Sequence, residues 1–468
     1  MLAWKAWKKA HEAKRRNILN GQRRRGRAKT LPQMLLEREI SDMAATARRI
    51  RFYGKRTYME MVNLCFEHSK IFMRPGEKIR IHFLHAAPSF WPAWRSFYEA
   101  CRADARLEPM IILLDCAGTP LESPQHMGAR EFLEEMNLPY TDYADYDLAH
   151  EKPHLIFCTM PYNAYYKYFR KVRPDLLKAM GIRLLYCTYG IEYDAAKNKE
   201  KLNAVHYHND TQVLAWRSFV IHEDVRQGYF RFCRTGGEHV LALGHPKFDV
   251  YVRKTPPLLG HIEEVRRGRT VVFYQVHHPN DHDCRYAYRS HSLPVEETIS
   301  IIRWLAEQTD VCAVITLHPL FEIRVIQQHR LTTEAVEGIK EAIRQSPNTV
   351  LYAGEYQPLL PHMDAFISDQ SSLLLEMAFQ NKPVLYLYDE PLHLKPFAGE
   401  IFASFYHGRG YGHGLADVRE FLSRLKSGDD PLAGKRQQVW EKFFSSCNGR
   451  IGLHMKKRIL NDLGLSHA

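Results

Sequence analysis

From residue 78 onward the chain alternates short apolar runs with stretches of about helix length, and it does so twice over. The first series runs KIRIHFLHAA (78–87), FWPAWRSFYEACRA, LEPMIILLDC, GAREFLEEM, KPHLIFCTMPY and, after another helical stretch, RLLYCTYG. It closes on EHVLALGHPKFD, after which KTPPLLG breaks the chain. RTVVFYQVHH opens the second series, continued by a helical stretch at 296–308, VCAVITLHPL, TTEAVEGIKEAIRQ, NTVLYAG and ISDQSSLLLEMAFQNKPVLYL. Strands joined through helices of this length lie parallel, with helices on both faces of the sheet. The pattern therefore predicts an α/β protein of two Rossmann-like, doubly wound halves that face each other across a cleft. The expected bounds are 73–250 for the first half and 251–410 for the second. A basic helical extension, 1–72, precedes them, with 35–72 read as helix, and a helical segment, 411–468, follows.

Several classes are excluded at once. Neither half carries G-x-G-x-x-G after its first strand, which argues against a dinucleotide oxidoreductase, and the chain has no G-x-x-x-x-G-K-[ST] loop. Nine cysteines without a C-x-x-C pair argue against a disulfide framework or a cysteine zinc site and read as reduced thiols. No apolar run reaches the roughly 18 residues of a membrane span, and the N-terminus lacks the apolar core of a secretory signal, so a cytoplasmic protein is expected.

The net charge of +12 is concentrated at one end. Residues 1–29 hold eleven Lys or Arg against the single Glu12, so this arm accounts for ten of the twelve positive charges. Leu2, Trp4 and Trp7 are interleaved with Lys5, Lys8 and Lys9, a composition suited to a short helix on an anionic bilayer, with its tryptophans at headgroup depth. Nucleic acid is the rival partner for an arginine-rich arm, and a merely solvated tail is the bland reading.

The stretch ISDQSS (367–372) puts Asp369, Ser371 and Ser372 where a strand turns into a helix, at the carboxyl end of a sheet where ligands collect. Unpaired amides of a helix's first turn seat an anion, so a donor phosphate is the expected occupant, with Glu376 two turns on reaching for ribose hydroxyls. The alternative is that Asp369 and Ser371 serve only as helix caps. His278 and His282 are not read as metal ligands, because Pro279 keeps them off one helical face; no metal or other cofactor is expected.

Three segments in this order, GHPKFD (244–249), TLHPL (316–320) and DAFISDQSSLLLEMAFQNKPVLYLYD (364–389), resemble the CDP-glycerol glycerophosphotransferases, the teichoic acid primases and polymerases. The resemblance covers roughly residues 180–390 and rests on order and spacing, since each motif alone is weak. It implies a GT-B fold whose second half holds the donor. It further implies that Gly244, Pro246 and Lys247 match a turn whose basic residue faces phosphate, and that His318, Asp369, Ser371 and Ser372 hold the donor pyrophosphate. His277 or His278 would add a phosphate contact. The implied reaction passes a glycerol phosphate, or a related alditol phosphate, from a CDP-activated donor to a polymer or lipid-linked hydroxyl at the inner face of the cell membrane, with release of CMP. No nucleic acid is expected as partner.

One departure from the family stands out. Polymerase-type members carry a His-Gly pair after the last strand of the first half, and that histidine is the presumed base, whereas Tyr189 precedes Gly190 here. A free tyrosine titrates near 10 and is a poor base at neutral pH. Either His85, at the end of the first strand, is the substitute, with the aromatic residues of HAAPSFWPAW as a platform for the acceptor, or the acceptor proton is lost late in a loose transition state and a base matters less. A GT-B glycosyltransferase with a nucleotide-sugar donor is the alternative enzyme class; a non-catalytic basic binding protein would leave the three motifs without purpose.

Overall fold

The computed structural model describes residues 76–119, 121–122, 128–193, 206–253, 255, 257–279, 293–369, 371–387, 394–410 and 412–465. The basic arm 1–29, the helix expected at 35–72 and His282 lie outside the described residues. The first sheet holds β1 (Ile79–His85), β2 (Leu107–Leu113), β3 (Tyr140–Asp142), β4 (Leu155–Cys158), β5 (Arg183–Cys187), β6 (Arg217–Val220) and β7 (Val240–Ala242), in the order β3-β2-β1-β4-β5-β6-β7. The second holds β8 (Thr270–Val276), β9 (Val311–Leu317), β10 (Thr349–Leu351), β11 (Ala365–Ser368), β12 (Val384–Tyr386) and β13 (Tyr406–His407), in the order β10-β9-β8-β11-β12-β13. Every pairing is parallel.

Parallel strands have helices on both faces, and the sequence shows it: every residue of β4, β5 and β11 is buried, so apart from Arg183 and Ser368 at their ends these strands read as apolar runs rather than as alternating ones. One hydrophobic core covers one face of the first sheet and continues through Phe248, Phe273, Phe366 and Phe379 onto the second. The outer faces are covered by separate cores, around Leu84, Ile112 and Ile156 in the first half and around Val272, Ile315 and Ile367 in the second. Strand order reverses between β1 and β4, and again between β8 and β11, which opens a crevice at the carboxyl end of each sheet.

The chain then returns. Its last helix, Ile451–Asp462, packs against the helix Arg95–Arg102 of the first half, with Lys456 paired to Asp104 at 2.8 Å and Arg217 to Asp462 at 2.6 Å. A Cβ at Gly452 would lie 2.4 Å from the backbone of Ser96 and Phe97, so only glycine permits this approach. Among the described residues, no helix is long and apolar enough to cross a membrane, and the seven described cysteines are free thiols, six of them buried.

Candidate active site

Residues 277–278 and 318 leave the second sheet side by side, because Val276 of β8 is in register with Leu317 of β9. The His318 amide donates to the Val276 carbonyl at 2.8 Å, which fixes the two exits to one another. The ring centroids of His277, His278 and His318 lie 4.3 to 4.8 Å apart, forming a half-buried trio of imidazoles at the carboxyl edge. His278 and His318 were separate expectations from the sequence; their union with His277 was not expected. The readable signal was a VHH that ends one strand and an HP that ends its neighbour. Burial, with His278 beside it, lowers the His318 pKa to about 3, so at neutral pH this ring is uncharged. Its Nδ1 accepts the Leu320 amide at 3.1 Å, which places the proton on Nε2 and makes that atom a donor.

Asp369 adjoins the trio through the backbone. Its carboxylate, 3% exposed, accepts the His277 amide at 3.3 Å on Oδ1 and the Leu293 amide at 2.9 Å on Oδ2. It thus ties the exit of β8 to the approach of the helix Val295–Ala306. This corrects its assignment as a phosphate ligand, since an acid already bound to two amides would repel an anion at close range. Ser371 is buried and its Oγ accepts the Leu373 amide at 3.0 Å, so its oxygen serves as a helix cap, the bland alternative. Ser372, half-buried at the start of the helix Leu373–Phe379, makes no side-chain cap bond.

GHPKFD follows β7, between the two sheets, where a turn between the domains was expected. These residues form the joint between the two halves, and each side chain goes to a different element. Gly244 has φ +91° and a Cβ there would meet Ile451 at 3.0 Å, so the left-handed turn and the close pass of the last helix both require glycine. Nε2 of His245 donates to the Thr188 carbonyl at 2.9 Å, and Pro246 starts a 3₁₀ turn over Pro246–Val252. Asp249 accepts the amides of Ile451 and Gly452, both at 2.9 Å, and caps the last helix from outside it.

The assignments of Lys247 to phosphate and Glu376 to ribose are corrected by their burial, 3% and 0% exposed. Lys247 Nζ lies 3.2 Å from Glu376 Oε1 and donates to the Tyr356 hydroxyl at 2.8 Å; Tyr251 donates to Glu376 Oε2 at 2.6 Å and Tyr356 to Oε1 at 3.3 Å. Burial and the Glu376 carboxylate push both phenols well above their usual range, so both remain donors. The acid has its partners within the protein: one ammonium and two hydroxyls, drawn from both halves.

In the first half, His85 is corrected as a candidate base. It ends a central strand, is fully buried between Trp94 and Phe132, and burial alone lowers its pKa to about 3. A base must reach a substrate proton, and Trp94, one of the rings expected to form an acceptor platform, instead covers it together with Phe132. Tyr189 is half-buried in the loop after β5, with its hydroxyl 3.1 Å from that of Tyr162 and its ring 4.5 Å from Phe90.

Two doubly wound halves joined through a buried hub, with the last helix crossing back, define a GT-B-type protein that carries the histidine trio at the carboxyl edge of its second sheet. Solved structures of the same architecture include the Staphylococcus aureus MnaA–UDP co-structure (13% identity, TM-score 0.56, covering 83% of this chain and 97% of that one). The UDP-GlcNAc 2-epimerase of Neisseria meningitidis bound to UDP-GlcNAc is another (13%, 0.53, 82% and 100%), and the wall teichoic acid polymerase TagF a third (11%, 0.55, 94% and 100%). No curated protein matches the sequence. The model of the CDP-glycerol:poly(glycerophosphate) glycerophosphotransferase family matches residues 176–461, and the chain belongs to that family of transferases.

Proposed function

We propose that this chain transfers a glycerol phosphate, or a related alditol phosphate, from a CDP-activated donor to a hydroxyl of a cell-surface polymer or its lipid-linked precursor. The observation that carries the reading is the family match over residues 176–461, which includes the whole second sheet and the crevice with His318 and Ser372. A TagF variant soaked with CDPG has the same architecture. The acceptor oxygen attacks the glycerol-bearing phosphorus, a new P–O bond forms, the pyrophosphate P–O bond breaks, and CMP leaves. His318 supplies a neutral Nε2–H to the charge that develops on the leaving phosphate. With His85 buried, the acceptor proton departs late and passes to solvent, in a loose transition state that needs little help from a base.

Release of CMP from CDP-glycerol, with CDP-ribitol and UDP-sugars in parallel, is the direct test. His318→Ala should keep its circular dichroism and lose on the order of 10²- to 10³-fold in CMP release. Since His318 stays neutral down to a pKa of about 3, the wild-type rate should show no inflection from it near pH 6.5. Turnover of a UDP-sugar but not of CDP-glycerol would sink the donor reading, and near wild-type release by the variant would return His318 to a purely structural place.

The arm 1–29 is assigned to the anionic membrane surface that carries the lipid-linked acceptor. Its deletion should lower activity on vesicle-bound acceptor, an effect reproduced by high salt, and spare activity on a short soluble acceptor. Equal loss on both acceptors would make the arm part of the fold.

A further inference from the structure

The trio at the edge of the second sheet has a feature that phosphate binding does not require. One ligating nitrogen from each of His277, His278 and His318 lies within 4.8 Å of the other two. His277 Nδ1 is 3.0 Å from the carbonyl of His278, and His278 Nδ1 is 3.3 Å from that of Pro279. A carbonyl has no proton to give, so each Nδ1 donates and each Nε2 carries a lone pair. That is the tautomer of a metal-bound histidine, whose far N–H is held by a backbone carbonyl or a carboxylate. Asp369 acts one step behind as a positioning residue, since it holds the His277 amide. His318 alone is in the other tautomer, with Nδ1 on the Leu320 amide. It joins as a ligand through Nε2 by moving its proton to Nδ1 and giving up that amide.

We propose that His277, His278 and His318 form a binding site for a first-row transition-metal dication, with Zn²⁺ as the prime candidate. Three imidazole nitrogens suit Zn²⁺, Co²⁺ and Ni²⁺, whereas Mg²⁺ and Ca²⁺ take oxygen ligands. Three ligands leave the fourth tetrahedral position to water or to a further oxygen. A donor phosphate oxygen is the substrate group that fits it, a refinement that rests on the function proposed above, with the metal ion taking the place of the His318 Nε2–H against the phosphate charge. His277 and His278 already hold Nδ1 on a carbonyl, as a metal-bound histidine does, and His318 completes the set.

The test uses the untagged full-length protein, stripped with a chelator and titrated with Co²⁺ and then Zn²⁺ in the absence of nucleotide. One equivalent of Co²⁺ should give the visible absorption of a tetrahedral site, and Zn²⁺ should displace it. His278→Ala should weaken Zn²⁺ binding at least tenfold, and the double variant His277→Ala/His278→Ala should abolish the Co²⁺ band while melting as the metal-free wild type does. Absence of the band in the wild-type protein overturns the site without recourse to any variant. Undiminished affinity in the double variant overturns it as well, because the metal would then sit on others of the chain's 25 histidines. Turnover of CDP-glycerol is measured separately, so metal binding without turnover keeps the site and sinks the donor reading, whereas turnover without metal binding does the reverse.

Discussion

Glu376→Leu is expected to destabilise the protein by about 3–5 kcal/mol, because it strands the Lys247 ammonium at 3% exposure with only the Tyr356 hydroxyl for company. Lys247→Met should cost a similar amount by leaving the Glu376 carboxylate to two phenols. The double variant Lys247→Met/Glu376→Leu removes both charges and should recover most of that loss, since apolar pairs of similar volume often replace buried ion pairs without penalty. Chemical denaturation of the three variants measures the coupling. The outcome also separates two pictures of these residues. If they were donor ligands facing the cleft, each single variant would keep wild-type stability and lose only nucleotide affinity, and the two losses in stability would not be coupled.

The second large effect is on acid stability. His82, His85, His239 and His245 are all 5% exposed or less, and burial is the main cause that lowers their pKa values, to about 4, 3, 4 and 3. Above pH 6.5 these rings are neutral both in the folded chain and in the unfolded one, where the ordinary value is about 6.5. As pH falls below 6.5 the unfolded chain takes up protons that the folded chain refuses, so stability is lost with falling pH until the folded values are reached. Each ring contributes about 1.4 kcal/mol per pH unit over that window. Four rings together remove on the order of 5 kcal/mol by pH 5.5, comparable to the whole stability of many domains. Denaturation midpoints measured from pH 7.5 to pH 5 should therefore fall steeply below 6.5, and His239→Gln should shed about a quarter of the share that these four rings contribute to the slope. A flat profile across that range would show that these histidines are not held neutral by the fold.

The alternation of most strands with helices was legible because period and length are local properties, and they sufficed for two parallel sheets; the family came from the order and spacing of three motifs. Short strands such as β3, Tyr-Thr-Asp, and β6, Arg-Ser-Phe-Val, were not, since three or four residues carry too little pattern. The motifs likewise announced themselves by order and spacing, but not the use to which each side chain is put. Glu376 and Ser371 looked like ligands because a strand-to-helix junction at a sheet's carboxyl end is where ligands gather. Their partners came from elsewhere: Lys247 and Tyr251 reach Glu376 across more than a hundred residues, and Asp249 reaches the last helix across two hundred. Burial decided the rest. His85 looked like a base until Trp94 and Phe132 closed over it, and His277, His278 and His318 became one site only when β9 settled beside β8. Periodicity lies in a window of ten residues, whereas burial and hydrogen-bond partners depend on which strands the crossovers bring together, and only the packed tertiary structure decides that.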